Sequence, residues 1–431
     1  MLPLKRYALD ELIEWKSSKR RKPLILKGAR QVGKTWLMKH FGATYFENMA
    51  YVDFYRNERM KELFNGDFEI RRLIEGLQAE THERISPDKT LIVFDEVQEV
   101  PLAISSLKYF YENSPEYAII AGGSLLGVAS HKGVSFPVGK VDFANLYPLN
   151  FSEFLEAIGE GELARLLMKK DWQLIAAFKS KYIDYLRKYY FVGGMPESVM
   201  VYSEDRDYIA VRKVQEGILR AYNEDFSQHV PDGDLAKVRS VWSNVTRQLA
   251  REKKRFSPGV VKKNSRLQDY ENALQWLTDA GLIYKVEQIS TPAIPLKNYA
   301  KSAFKIYLLD VGLLSCMAEL ESKVLLEGAA IFKEFKGSLT ENYVCQELVN
   351  YGKKPFYWSS EATAEVDFVF KHNSNIYPLE AKAEENLKAK SLNVYKEKFK
   401  PALCLRTSMK DYREEGWLTN IPLYAIGLWE L

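Results

Sequence analysis

The eight residues 28–35 restrict the fold of this chain more than any other feature of its sequence. They read Gly-Ala-Arg-Gln-Val-Gly-Lys-Thr, a complete G-x-x-x-x-G-K-T motif. The apolar run 23–26 precedes the motif, and the helix-like run 36–41 follows it. Strand, loop and helix in this order are the structural context of a phosphate-binding loop. A glycine turn in an ordinary α/β unit is the alternative interpretation.

The chemistry of this loop predicts a nucleoside triphosphate ligand, which we expect to be ATP. Its glycines allow backbone N–H groups to face the phosphates. Lys34 is expected to reach the β and γ oxygens and so to assist catalysis, while the hydroxyl of Thr35 is a ligand for Mg²⁺. The residues expected to contact the nucleotide are Gly28, Ala29, Arg30, Gln31, Val32, Gly33, Lys34, Thr35 and Trp36.

A pair of acids follows an apolar run further along the chain. Residues 91–96 read Leu-Ile-Val-Phe-Asp-Glu. A buried parallel strand delivers such acids to its carboxyl end. Asp95 is therefore predicted to hold Mg²⁺, and Glu96 to act as the general base that polarises the attacking water. Two merely exposed carboxylates are the alternative.

Three further apolar runs, residues 50–54, 117–121 and 141–146, complete a predicted parallel sheet. Ser124 follows the fourth strand, where its hydroxyl would contact the γ-phosphate or the lytic water; capping of the next helix is an equal alternative. Three features together resemble the AAA-like branch of P-loop ATPases. They are an extra strand between the two motif-bearing strands, the paired acids, and the polar residue on the fourth strand.

Further landmarks extend this resemblance over essentially the whole chain. They are Gly139-Lys140, the segment LYPLNFSEF at 146–154 and the segment YFVGGMPE at 190–197. Together they resemble a prokaryotic family of AAA-like ATPases that carry a winged-helix segment and a nuclease-like C-terminal domain. Lys140 departs from this family, which often has arginine there. A lysine cannot make the forked phosphate contact of an arginine finger.

The predicted fold class is α/β: a P-loop NTPase parallel sheet, then a helical lid and a winged helix, then a small restriction-endonuclease-like α/β domain. Helical periodicity before and after a turn at 193–196 predicts the lid. Helix-like stretches between 234 and 277, followed by strand-like runs, predict the winged helix. The expected domains are 1–160, 161–232, 233–325 and 326–431.

Two alternating polar and apolar runs near the C-terminus flank a short turn and predict a β-hairpin. If the turn pairs Lys371 with Ile376, charged side chains meet on one face of the two strands. The opposed pairs are then Asp367 with Glu380 and Glu365 with Lys382. Opposed carboxylates destabilise a sheet, so this face needs a counter-charge, which a divalent cation would supply.

An acid followed by Glu380-x-Lys382 resembles the PD-(D/E)xK nuclease fold, and Glu341, on a helical stretch, resembles the helix-borne acid of that fold. The resemblance implies that Glu341, Asp367 and Glu380 bind Mg²⁺ or Mn²⁺ and that Lys382 orients or activates the hydrolytic water. An ordinary ion pair on an exposed hairpin face is the alternative. Such folds also occur as inactive binding modules.

Composition sets the remaining expectations. A chain of 431 residues, 46% of them hydrophobic, is long enough for about two to four domains. No run approaches the roughly 18 apolar residues of a membrane span, and the first residues lack the apolar stretch of a signal peptide. We therefore expect a cytoplasmic protein without a membrane partner. Cys316, Cys345 and Cys404 are odd in number and far apart, which predicts packing residues instead of disulfides or a zinc site.

The net charge of +4 does not distinguish a nucleic-acid-binding protein from other proteins. The stretch 251–263 is rich in lysine and arginine, and Arg255, Lys262 and Lys263 lie near the expected start of a recognition helix. This placement favours DNA as a partner. Packing of the winged helix between domains, or a solvated charged face, are the alternatives.

Two functional hypotheses follow from these patterns. In the first, an Mg²⁺-dependent ATPase is coupled to a nuclease-like domain and acts on nucleic acid, namely DNA. In the second, the protein is a nucleotide-gated switch or scaffold whose nuclease-like domain is inactive and only binds a partner. AAA-like proteins often place nucleotide at subunit boundaries, so a homo-oligomer is also a candidate, an expectation that Lys140 weakens.

Overall fold

The computed structural model describes residues 4–123, 137–252, 254–323, 333–360, 364–384 and 389–429 of the chain. The chain divides into two compact units. The N-terminal unit comprises Arg6–Tyr147 with Asp279–Gly281, and the C-terminal unit comprises Pro148–Thr278 with Leu282–Leu431. The finer division into four domains stays a prediction.

Five parallel strands form the sheet of the N-terminal unit. They are β1 (Leu24–Lys27), β2 (Asn48–Asp53), β3 (Thr90–Asp95), β4 (Ala118–Gly122) and β5 (Asp142–Asn145). Their order across the sheet is β2-β3-β4-β1-β5, with every pair parallel. Every residue of β3 and β4 is buried, as expected for apolar strands covered on both faces. β4 lies between β1 and β3, the two strands that carry the motifs.

Helices pack on this sheet and complete an α/β fold. They are α1 (Ala8–Ser17), α2 (Lys34–Tyr45), α3 (Glu58–Asn65), α4 (Ile70–Thr81) and α5 (Pro101–Asn113). The start of α3 is fixed by the Asn57 side chain, which accepts a hydrogen bond from the Met60 N–H. Proline in the first turn of α5 costs no helical hydrogen bond. A core that includes the edge-to-face rings of Phe54 and Phe94 joins these helices to the sheet.

The first part of the C-terminal unit is helical. Its helices are α6 (Phe151–Ala157), α7 (Gly161–Lys169), α8 (Trp172–Ala177), α9 (Lys179–Val192), α10 (Pro196–Asp205), α11 (Tyr208–His229), α12 (Asp232–Ser243), α13 (Val245–Leu249), α14 (Pro258–Val261) and α15 (Glu271–Asp279). The predicted glycine and proline turn separates α9 from α10. The Gly194 N–H in this turn donates a 2.6 Å hydrogen bond to the buried Asp310 carboxylate, which ties the helical part to the segment before α16 (Val311–Met317).

The second part is a mixed sheet with two more helices, α17 (Lys333–Asn350) and α18 (Lys390–Phe399). Its strands are β6 (Ile283–Ile289), β7 (Ala300–Leu308), β8 (Phe356–Ser359), β9 (Glu365–His372), β10 (Asn375–Ala381), β11 (Cys404–Ser408), β12 (Arg413–Glu414) and β13 (Leu418–Pro422). The order is β12-β13-β11-β10-β9-β8-β6-β7. Because β6 pairs with β8, the hairpin predicted as a wing belongs to the same sheet as the C-terminal strands.

The hairpin of β9 and β10 has the predicted register. Lys371 pairs with Ile376, and the ladder continues to Phe368 opposite Leu379. The ladder ends one residue before Asp367 and Glu380, the first of the predicted charged pairs. Elsewhere in the described chain, the three cysteines are buried free thiols. None of the helices within the described ranges has the length and apolar character that crossing a bilayer requires.

Candidate functional site

The loop between β1 and α2 is shaped by two glycines. A Cβ atom on Gly28 would lie 2.2 Å from the Leu146 carbonyl oxygen, so no side chain fits between the loop and the end of β5. Gly33 has a left-handed backbone, with φ of 93°, immediately before the first residue of α2. These two positions curl the loop over the start of the helix. The sequence motif therefore has the strand, loop and helix geometry that its chemistry requires.

Lys34 is folded back over this loop. Its Nζ atom donates to the carbonyl oxygens of Gly28 and Ala29 at 2.9 and 2.7 Å. Burial lowers the pKa of Lys34 to about 8, although Glu96 and Asp95 act in the opposite direction. A buried ammonium held by neutral carbonyls is poorly compensated, so an anionic phosphate would be a better partner than the loop itself.

Thr35 and Asp95 are in direct contact. The Thr35 hydroxyl donates a 2.7 Å hydrogen bond to Asp95 Oδ2, which joins the first turn of α2 to the end of β3. Tyr51, on β2, donates to the same oxygen at 2.9 Å, and the Glu96 N–H donates to Oδ1 at 3.0 Å. Thr35 and Asp95, which the sequence assigns to Mg²⁺, thus lie in contact at the carboxyl end of β3.

Glu96 lies at a sharp turn directly after β3. Its φ of 49° is left-handed, which is uncommon for a residue with a side chain. A short 3₁₀ turn, Val97–Glu99, follows, and the Gln98 side chain donates to Glu96 Oε2 at 2.6 Å. The strand ends before this turn, and Gln98 holds the Glu96 carboxylate.

The other predicted nucleotide-site residues have diverse surroundings. Ala29 and Val32 are buried in the loop, Gln31 has a left-handed φ of 66°, and Trp36 is partly exposed with its indole stacked on His40. Arg30 lies close enough to Lys34 to affect its pKa. Ser124 lies outside the described residues. Lys140, at the position of the family arginine, forms a 2.9 Å ion pair with Glu112.

A second cluster of charges surrounds Lys305 in the C-terminal unit. This lysine lies on β7 and has no solvent-exposed surface. Its Nζ atom is 2.5 Å from Glu365 Oε1, 3.8 Å from Glu341 Oε2 and 4.0 Å from Asp367 Oδ1. Burial disfavours the charged form, but these three acids raise the pKa of Lys305 above its usual value. The lysine is therefore a buried cation inside the group of acids.

Glu341 projects from α17 into the same cluster. Lys254 donates to its Oε1 at 2.6 Å, and the Tyr307 hydroxyl donates to its Oε2 at 3.0 Å. Burial acts to raise the pKa of Glu341, but Lys254 and Lys305 outweigh it and the pKa is lowered. Both oxygens of this carboxylate thus have partners within the protein.

Asp367 completes this cluster, and Glu380 lies on the other strand of the hairpin. The Ala381 N–H donates to Asp367 Oδ2 at 2.9 Å, and burial raises the pKa of Asp367 to about 7. Lys382 lies 2.6 Å from Glu380 Oε1. Glu380 Oε2 is buried without a hydrogen-bond partner among the described residues. Within that part of the chain, no group of three or more His, Cys, Asp or Glu side chains is arranged to hold a metal ion.

The charge balance of this cluster decides how well it fits a divalent cation. Its acids are Glu341, Glu365 and Asp367, its bases are Lys254 and Lys305, and Glu380 pairs with Lys382. The lysines compensate most of the negative charge, so a divalent ion would give an excess of buried positive charge. As it stands, the cluster does not fit such an ion, apart from the one open oxygen of Glu380.

The sequence reasoning missed several of these residues. Tyr51 and Gln98 gave no signal, because neither belongs to a motif and each contact depends on the folded strands. Lys305 did leave a signal: it is a lysine inside the run Ala-Phe-Lys-Ile-Tyr, which otherwise reads as a buried strand. A charged residue in such a strand indicates a buried partner of opposite charge.

Comparison with known proteins matches three segments of the chain to protein families. Residues 20–155 match a family described as AAA domain. Residues 183–324 and 336–426 match two families that are each described as a domain of unknown function, DUF8612 and DUF4143 respectively. No curated protein matches the chain significantly.

Several solved structures are similar to this chain. The Walker-type ATPase paby2304 of Pyrococcus abyssi is 15% identical with a TM-score of 0.46, and the match covers 73% of this chain and 96% of that one. The ORC1 protein of Aeropyrum pernix, solved in complex with DNA, is 13% identical with a TM-score of 0.28, covering 74% and 93%. Cdc6p from Pyrobaculum aerophilum is 10% identical with a TM-score of 0.24, covering 76% and 96%.

At these identities and scores, the solved structures carry no argument about activity or partners. The matched segment 20–155 contains β1 to β5, the phosphate-binding loop and the acids that follow β3. The family match, the contact of Lys34 with the loop and the contact between Thr35 and Asp95 together support an AAA-like P-loop ATPase.

Proposed function

We propose that the N-terminal unit binds ATP with Mg²⁺ and hydrolyses it. The 2.7 Å hydrogen bond between Thr35 and Asp95, next to the loop that holds Lys34, carries this proposal. A hydroxyl and a carboxylate are hard oxygen donors of the kind that Mg²⁺ prefers, so the residues present fit the ion. Bound there, Mg²⁺ would neutralise charge on the β and γ phosphates.

Each residue of the site has a distinct task in this reaction. The loop amides and the Lys34 ammonium bind phosphate oxygens, and Thr35 and Asp95 hold the metal ion. Glu96 accepts the proton of the attacking water, and Gln98 orients the Glu96 carboxylate. Ser124 remains a candidate sensor of the γ-phosphate, and Trp36 a candidate contact of the nucleotide.

Separating binding from hydrolysis tests these tasks. Lys34→Ala removes the cation that binds the phosphates, so we expect ATP binding to be lost. Glu96→Gln keeps the size of the side chain and removes the base, so binding should persist while turnover falls by about 10²- to 10⁴-fold. Equilibrium binding of a fluorescent ATP analogue and release of inorganic phosphate measure the two effects.

Lys19→Ala, an exposed lysine on the same unit, serves as the control and should leave both measurements unchanged. If Lys34→Ala and Glu96→Gln lose ATP binding to the same extent, the assigned division of tasks is wrong. If the wild-type protein neither binds ATP nor releases phosphate in magnesium buffer, the proposal itself is refuted.

The C-terminal unit has two candidate uses. In the first, ATP hydrolysis repositions a metal-dependent nuclease that cuts DNA, with Glu341, Asp367 and Glu380 as metal ligands and Lys382 at the water. In the second, this unit only binds a partner, and ATP turnover switches that interaction. The buried Lys305 favours the second use, because it already supplies the counter-charge that a metal ion would provide.

A DNA-nicking assay distinguishes the two uses. We expect supercoiled plasmid to remain intact with wild-type protein, ATP and either Mg²⁺ or Mn²⁺, as it does with Asp367→Ala and Lys382→Ala, while all three proteins release phosphate from ATP. Cutting by wild type that is lost in both variants, with ATP hydrolysis retained, would establish the nuclease instead. A metal-dependent nuclease run in parallel confirms that the assay detects nicks.

The proposal also includes DNA as a partner, a homo-oligomeric state and a cytoplasmic location. Exposed Arg255, Lys262 and Lys263 lie on one short segment of the C-terminal unit and offer phosphate contacts. Buried free thiols in the described chain are compatible with a reducing compartment. Measuring the mass of the protein in solution with and without ATP tests the oligomer.

A further inference from the structure

The edge strand of the parallel sheet brings a tyrosine to the acid at the end of β3. β2 pairs with β3 so that Tyr51 lies beside Val93, and Asp53 beside Asp95. The Tyr51 hydroxyl donates to Asp95 Oδ2 at 2.9 Å, and Thr35 donates to the same atom at 2.7 Å. One carboxylate oxygen therefore accepts hydrogen bonds from two hydroxyl groups, one on the edge strand and one on the helix after the loop.

The orientation of Asp95 depends on these contacts. Its carboxylate is almost fully buried, and its other oxygen accepts the Glu96 N–H at 3.0 Å. Donors on both oxygens fix the plane of a carboxylate, because rotation would break at least one of the hydrogen bonds. Tyr51 is the donor that comes from outside the two sequence motifs.

Tyr51 is itself held in place. The Lys39 ammonium lies 3.9 Å from the centroid of its ring, a cation–π contact. Lys39 follows Thr35 by one helical turn, so both residues lie on the same face of α2. The contact with Lys39 holds the ring where its hydroxyl donates the hydrogen bond to Asp95.

We propose that Tyr51 is a positioning residue that orients Asp95 for Mg²⁺ and so sets the metal affinity of the nucleotide site. This inference rests on the proposed Mg²⁺-dependent ATP hydrolysis. A residue that hydrogen-bonds a metal-binding carboxylate fixes its direction, and loss of such a partner weakens metal binding. Thr35 is assigned to the metal ion itself, whereas Tyr51 acts on the ion through Asp95.

Tyr51→Phe tests this role, because it keeps the ring against Lys39 and removes the hydroxyl. Binding of a fluorescent ATP analogue is measured in EDTA and across an Mg²⁺ titration. We expect the affinity in EDTA to be unchanged and the Mg²⁺ concentration that gives half of the binding enhancement to rise about tenfold. Turnover at saturating Mg²⁺ should approach that of wild type, because excess metal compensates for the weaker site.

Tyr117→Phe is the matched control, since Tyr117 directly precedes the amino end of β4, whereas Asp95 ends β3 at the carboxyl side of the same sheet. It should leave the titration unchanged. Tyr51→Leu, which also lacks the hydroxyl, should repeat the shift if Tyr51→Phe does not fold. A titration that coincides with wild type, or an equal loss of binding in EDTA, overturns the role of Tyr51. If wild-type binding does not respond to Mg²⁺, the proposed function fails, and this inference fails with it.

Discussion

At the scale of single residues, the C-terminal unit buries carboxyl groups whose protonation is controlled by their surroundings. Glu347 on α17 is buried and accepts the Phe151 N–H at 3.0 Å. Burial raises the pKa of Glu347 to about 8. Asp310 is also buried, and burial raises its pKa to about 6 even though the Gly194 and Leu313 amides donate to it. Both groups make folding sensitive to pH in the same direction.

Replacement of Glu347 by glutamine should remove part of this pH dependence. The pKa of Glu347 in the folded protein, about 8, lies above the usual glutamate value of 4.5, so the folded protein binds the proton more tightly. The resulting stability is complete below pH 4.5 and is lost as the pH rises through 8. Glu347→Gln stays neutral and keeps an acceptor for Phe151, so its thermal midpoint should decline less than that of wild type between pH 6 and 9. The corresponding pH-dependent loss in the free energy of unfolding of wild type is on the order of a few kcal/mol.

Glu397→Gln provides the control, because Glu397 is exposed on α18 and the substitution is chemically the same. Its thermal midpoint should follow the wild-type pH dependence. If the thermal midpoint of Glu347→Gln has the same pH dependence as that of wild type, then Glu347 is ionised in the folded protein and its pKa is not raised.

At the scale of helices and strands, local patterns predicted elements well and their partners poorly. The alternating hairpin runs gave β9 and β10 with the observed register, because the turn length fixes the pairing of neighbouring strands. The pairing of β6 with β8 was not predictable, because it joins strands far apart in the chain. Alternation reveals which side of a strand is apolar but does not identify the strand that will lie beside it.

The same limit explains which parts of the sites were predictable. The G-x-x-x-x-G-K-T motif and the apolar strand before Asp95 each carry their geometry locally, and the contact between Thr35 and Asp95 agrees with their shared assignment to Mg²⁺. Tyr51 reaches Asp95 only because β2 pairs with β3. Lys305 reaches the C-terminal acids only because β7 belongs to their sheet. The sequence predicts that the C-terminal acids need a counter-charge. Which residue supplies it, namely Lys305, depends on the tertiary structure.

At the scale of the whole molecule, the charge distribution matters more than the net charge of +4. The basic stretch 251–263 includes lysines with different surroundings. Lys254 is mostly buried against Glu341, whereas Lys262 and Lys263 are exposed directly after α14. Only the exposed residues are free to contact a DNA backbone without breaking the buried cluster. A DNA interface on this stretch would therefore use Lys262 and Lys263 together with the exposed Arg251 and Arg255.

Charge reversal tests this interface through its salt dependence. Each phosphate contact releases counterions, so the slope of log K against log salt concentration is about −0.9 per contact. The double variant Lys262→Glu and Lys263→Glu should therefore bind duplex DNA more weakly and reduce the magnitude of the slope by about 2. Fluorescence anisotropy of a labelled duplex over a range of salt concentrations measures both quantities.

The double variant Lys19→Glu and Arg20→Glu makes the same change of charge on exposed residues after α1 in the N-terminal unit. A general electrostatic attraction would weaken equally in both double variants, because it depends on net charge and not on position. If the interface is localised, only the double variant Lys262→Glu and Lys263→Glu should have a reduced slope. An unchanged slope in that variant would show that these lysines do not contact DNA, while ATP hydrolysis in the N-terminal unit would be unaffected.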